Sequence, residues 1–94
     1  LRWFREPKDA AMPVTHRVDA TPATVRWGVF DAAFPPIANV ESGDLVVLEC
    51  VSGGPEQSPP RDDARFTIPP RLLAIQDAGI PRLGPHIITG PVAV

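Results

Sequence analysis

Gly84-Pro85-His86-Ile87-Ile88-Thr89-Gly90-Pro91-Val92-Ala93-Val94 is the stretch from which the fold is read. Two apolar runs flank Thr89-Gly90-Pro91, and a histidine stands at the head of the first. Proline fixes its own φ and drives the residue before it towards extended geometry, whereas glycine opens φ values closed to other residues. The spacing predicts two extended segments joined by a tight bend, with His86 held in a defined direction between Pro85 and that bend. Short strands joined by fixed turns, rather than a helical bundle, follow from such punctuation.

The pattern recurs upstream. Residues 45–51, Leu-Val-Val-Leu-Glu-Cys-Val, follow the polar turn Glu41-Ser42-Gly43-Asp44 and are apolar except at Glu49. They predict a strand with both faces largely buried, in which Glu49 needs a partner. Over residues 24–30, Val25, Trp27 and Val29 alternate with Arg26, Gly28 and Phe30, the two-residue period of a strand. Gly28 within it marks a bulge or a close backbone approach. Between the two, Phe34-Pro35-Pro36-Ile37 interrupts any ladder, since neither proline donates a backbone hydrogen bond, and a short extended run follows over residues 37–40. Residues 52–65 read as loop, and Phe66-Thr67-Ile68 as a short edge segment. Pro69-Pro70 then opens one short helix that runs to Ala78 and stops at Gly79. Residues 1–13 show no period and are expected to form an extended arm.

Thirteen prolines and seven glycines accompany an apolar content of 44%, a composition of many fixed turns around a real core and not of disorder. A chain of 94 residues makes at most one domain and buries roughly 60 to 65% of its unfolded surface. Nine basic and eleven acidic residues give a net charge of −2 without a long block of either sign. That balance offers no electrostatic footprint for nucleic acid or for a membrane surface. No apolar run approaches the roughly 20 residues of a membrane helix, and no signal peptide pattern is visible. The single cysteine, Cys50, excludes an internal disulfide, so the expectation is a soluble, cytoplasmic protein. The opening on Leu1 and the apolar ending at Val94 lead us to expect a segment of a longer protein whose last strand continues.

Arg26-Trp27-Gly28 with Phe30-Asp31, Pro35-Pro36, the Glu41-Ser42-Gly43-Asp44 turn, Val51-Ser52-Gly53-Gly54-Pro55-Glu56 and the Gly84 to Val94 ending resemble, in order and spacing, the N-terminal part of the acetamidase/formamidase family. The resemblance covers residues 24–94. It implies a mainly β fold, a β-sandwich of jelly-roll type present here in part with one short helix. It also implies assembly into homo-oligomers and hydrolysis of short linear amides such as formamide and acetamide, releasing ammonia. Arg26 departs from the pattern, because a histidine often precedes the Trp-Gly pair in the family.

Amide hydrolysis needs an activated water or nucleophile, a proton for the leaving nitrogen and stabilisation of the tetrahedral oxyanion. His86 suits the proton transfer, or could hold a divalent metal such as zinc. The other reading is an imidazole that only braces the turn. Glu49 in an apolar strand and Asp31 ahead of Pro35 are the further catalytic candidates, against the plain readings of a surface carboxylate and a solvated loop aspartate. Trp27, Thr89 and Gly90 are candidates for contacting the amide, although Trp27 and Phe30 read first as core. Asp44 reads as a turn-closing residue, Cys50 as a buried inert thiol, and His16 carries no assigned role. Gly53-Gly54-Pro55 lacks the Lys-Ser/Thr and the helix of a phosphate cradle. The reading from a different class is a catalytically inert β-sandwich segment serving as an assembly or ligand-binding module.

Overall fold

In the computed structural model residues 12–94 are described, so most of the arm expected over residues 1–13 lies outside the described residues. The short extended runs become strands β1 (Thr15–Val18), β2 (Val25–Trp27), β3 (Ala38–Asn39), β4 (Leu45–Leu48), β5 (Ile87–Thr89) and β6 (Val92–Ala93). One α-helix, α1 (Pro70–Asp77), and a 3-10 turn at Pro55–Gln57 complete the elements.

The strands pair two by two, and every pair joins distant parts of the chain. β1 runs parallel to β4 with Thr15 opposite Leu45, and β3 runs parallel to β6 with Ala38 opposite Val92. β2 is antiparallel to β5, with Val25 opposite Thr89, Arg26 opposite Ile88 and Trp27 opposite Ile87. Three two-stranded sheets result, none of them closed among the described residues. The C-terminal stretch therefore serves two sheets at once. Its bend falls at Gly90, with φ +141° and a cis bond to Pro91. The bend is tied down by Gly90 N donating to Thr24 O at 3.0 Å and Ile37 N donating to Pro91 O at 2.8 Å.

Gly28 ends β2 because another backbone passes against it. A Cβ there would lie 2.0 Å from the Gly84 nitrogen, and φ is +112°. Only glycine on both sides permits this crossing, which also lets Leu83 N donate to Trp27 O at 2.9 Å. The alternation in β2 sends Val25 and Trp27 into the core cluster with Ala20 and Ile75, against which Val51, Ile80 and Ile87 pack. Helix α1 begins at Pro70, where a missing amide hydrogen costs nothing, and stops before Gly79, φ +72°. It contributes Leu72 and Ile75, one turn apart on its buried face.

Several expectations are corrected. The strand over residues 45–51 is shorter, ending at Leu48, and it is not buried on both faces: Leu45, Val47 and Leu48 are exposed. β4 has a single neighbour, β1, and no described layer covers it, so its apolar composition does not translate into burial. Phe30 is 90% exposed instead of filling the core, because the chain leaves the β2 alternation at Gly28. Cys50 is exposed, one residue past Glu49 and beyond the strand end. Phe66-Thr67-Ile68 forms no strand. No helix among the described residues is long and apolar enough to cross a membrane.

Candidate functional site

The end of β5 with the Gly90-Pro91 bend after it, and the end of β2 with the loop that follows, converge on a cavity of about 410 Å³. Its wall is built from Arg26, Val29, Phe30, Asp31, Ala32 and Phe34 on one side and from Ile88, Thr89, Gly90 and Pro91 on the other. Register explains the convergence. Arg26 stands opposite Ile88 and Val25 opposite Thr89, so the face of β2 turned away from Trp27 meets the segment that carries the Gly90-Pro91 bend.

Most of the wall is apolar, and its polar groups are few. The Arg26 guanidinium lies over the Phe34 ring, 5.0 Å from the centroid, and donates through Nη1 to Val25 O at 3.1 Å. It has no carboxylate partner among the described residues. The Asp31 carboxylate accepts from Ala33 N at 2.8 Å through Oδ1, which closes a turn and leaves Oδ2 without a hydrogen-bond partner among the described residues. Thr89 donates its hydroxyl to Glu49 O at 2.8 Å, so that side chain couples β5 to the end of β4. Gly90 is buried, its amide spent on Thr24.

Asp31, Thr89 and Gly90 thus share one cavity. Trp27 does not line it; it is 3% exposed, packs in the core and borders a second hollow of about 250 Å³ that shares Arg26, Val29 and Phe34 with the first. Its indole nitrogen is buried and has no hydrogen-bond partner among the described residues, while the Arg82 guanidinium covers the ring at 4.5 Å. His86 is exposed in the turn ahead of β5 and is absent from the wall of both hollows.

Glu49 has found its partners. Oε1 accepts from Ala20 N at 2.9 Å and lies 2.7 Å from Arg71 Nε, and Arg71 also reaches Asp19 at 3.2 Å. This network pins the start of α1 to the ends of β1 and β4. Because these groups are between a third and half exposed, each pair adds no more than about 1 kcal/mol.

Asp44 gathers three donors from separate parts of the chain. It accepts from Val14 N at 3.1 Å, from Glu41 N at 3.1 Å and from His16 Nε2 at 2.9 Å. The His16 hydrogen bond first, and then the two backbone amides, hold its pKa down at about 2. His16, to which the sequence assigned no role, so fastens β1 to the turn before β4. Among the described residues no three His, Cys, Asp or Glu side chains are grouped so that they could hold a metal ion.

Arg26 is the one charged or polar side chain of the cavity wall that the sequence did not mark as a candidate. The two-residue period already places it on the face opposite Val25 and Trp27, but which segment covers that face depends on the β2–β5 register. No family model, no curated protein and no solved structure matches this chain.

Proposed function

We propose that the protein is a hydrolase acting on the carbon–nitrogen bond of short linear amides, formamide and acetamide among them, and releasing ammonia. The observation that carries this reading is the cavity on which Arg26, Asp31, Thr89 and Gly90 converge, taken with the five stretches that resemble the acetamidase/formamidase family. In the reaction, water oxygen bonds to the amide carbon, the C–N bond breaks, and the leaving nitrogen takes a proton to depart as ammonia. A cationic fork such as Arg26 suits the oxyanion that develops on the carbonyl oxygen. A carboxylate on the wall, Asp31, suits removal of a proton from the attacking water. His86 and Glu49 are the further proposed partners for proton transfer, although neither lines the cavity and the Glu49 carboxylate already binds Arg71 and Ala20 N. His86 precedes the strand that lines the cavity, and Glu49 follows β4, where its carbonyl holds Thr89.

Zinc takes about four protein or solvent ligands, and His86 alone does not make such a site; any metal there would draw its other ligands from outside the described residues. In the finer fold we propose, the antiparallel β2–β5 pair is a portion of a jelly-roll sandwich completed by further chain or by other subunits in a homo-oligomer, and the two parallel pairs depart from that architecture's antiparallel pattern. The test is ammonia release from formamide and acetamide by the full-length protein, with metal analysis of the same sample. A folded protein that releases no ammonia from either amide would overturn the reading.

A specific observation favours a second reading, a catalytically inert assembly module. Leu45, Val47 and Leu48 expose apolar surface on both faces of β4, as expected of a strand that another chain covers. Inactivity together with a stable oligomer would select it.

A further inference from the structure

We propose that the cavity between the β2 loop and the Gly90-Pro91 bend recognises a primary carboxamide carrying a bulky apolar group, such as an aryl amide, in preference to formamide or acetamide. The inference rests on the amide-hydrolase reading for its carboxamide group and goes beyond it in the tail. About 410 Å³ lies within the range of roughly 300 to 1,000 Å³ of small-molecule sites. It equals the space of about fourteen waters at roughly 30 Å³ each in the liquid. Acetamide, with a single methyl group, would leave most of that space filled with water against Phe34, Ile88, Val29 and Pro91, and a small ligand gains little from walls it does not touch.

Among the described residues Arg26 keeps donors free of any carboxylate, its one side-chain hydrogen bond going to Val25 O at 3.1 Å, and Asp31 has one oxygen beyond its bond to Ala33 N. A cation and an anion on one wall match a neutral head that both accepts and donates. The carbonyl oxygen of a carboxamide accepts from the guanidinium, and its NH2 donates to the carboxylate. A free carboxylate would satisfy Arg26 but meet Asp31 with like charge, and an amine would reverse the conflict. The Arg26 guanidinium already lies over the Phe34 ring, 5.0 Å from its centroid, which sets a flat aromatic surface beside the head group.

The experiment is ligand-observed NMR titration of the full-length protein with benzamide, acetamide, benzoate and benzylamine, a measurement that needs no turnover. Benzamide is expected to bind at least about tenfold more tightly than each of the other three. Arg26→Gln is expected to weaken benzamide by roughly tenfold or more, the usual loss of a hydrogen bond to a charged group. Asp31→Asn, on an exposed loop where folding is not at stake, is expected to weaken benzamide while strengthening benzoate. Benzamide binding no tighter than acetamide, or benzoate bound best in the unaltered protein, would overturn the proposal. Benzamide binding without ammonia release would leave it standing and defeat the hydrolase reading. Ammonia release from acetamide without benzamide binding would do the reverse.

Discussion

Asp44 and His86 illustrate two ways in which a single side chain can matter. Asp44 holds three donors, and its pKa in the folded state lies at about 2 against an ordinary 3.8. A depressed folded pKa means that the unfolded chain binds the proton more readily. The stabilisation is therefore complete above about pH 4 and is lost as pH falls towards about 2. Glu56, lowered to about 2 by its hydrogen bond to Arg82, acts in the same window and the same direction. Thermal unfolding followed from pH 6 to pH 2 should show this loss, and Asp44→Asn should flatten the profile by removing one of its two main contributors. His86 makes no comparable bond among the described residues and stands exposed, so its replacement probes chemistry more than folding. In the full-length protein His86→Gln should lower amide turnover by roughly a hundredfold if the imidazole transfers the proton. The melting temperature should hardly move. Unchanged turnover per folded molecule would remove His86 from the reaction and leave Asp31 and Glu49.

At the scale of elements, the decisive contact is the crossing of the end of β2 with the segment before β5. Gly28→Ala would drive a methyl group to 2.0 Å from the Gly84 nitrogen and 2.4 Å from the Leu83 carbonyl carbon. Both are backbone atoms that cannot swing aside as a side chain would, and the left-handed φ of +112° adds strain for any residue with a Cβ. A loss of roughly 1 to 3 kcal/mol from strain alone is expected in denaturant unfolding, with the cavity opened as well, because β5 is held against β2 beside this point. Thr89→Val tests the neighbouring tie from β5 to Glu49 O, 2.8 Å long. Removing that hydroxyl should cost about 1 kcal/mol and shift the β5 wall of the cavity, readable as a weaker response to ligand in NMR.

For the whole molecule, the consequence of pairing strands only two by two is exposed apolar surface. The two-stranded parallel ladder β1–β4 has no strand paired to either outer edge among the described residues, and parallel sheets are ordinarily covered on their faces. Leu45 is 57% exposed and Leu48 43% exposed. Concentration-dependent association is the expected behaviour, measured by sedimentation velocity. Leu45→Lys should reduce it, placing a charge on the open strand as edge strands often carry. Its thermal stability should stay within about 0.5 kcal/mol of the parent, as for other surface changes. A monodisperse monomer in the parent protein would remove the basis for an assembly role.

What the sequence by itself determined is local. The apolar alternation of Val25 and Trp27, the prolines at the head of α1, and the Thr89-Gly90-Pro91 bend each act within a few residues, through φ restriction and the two-residue or 3.6-residue period. Those features reappear as β2, α1 and the β5–β6 turn. The tertiary structure alone decided which distant segments meet. Apolarity says that a side chain is better buried but not by what, so residues 45–51 read as a covered strand and yet Leu45, Val47 and Leu48 face outward. Likewise the cavity exists only because the register sets Arg26 opposite Ile88 and because Gly28 and Gly84 let two backbones touch. Register and crossing are long-range properties, won by the summed contacts of segments some sixty residues apart, and no short stretch of sequence encodes them.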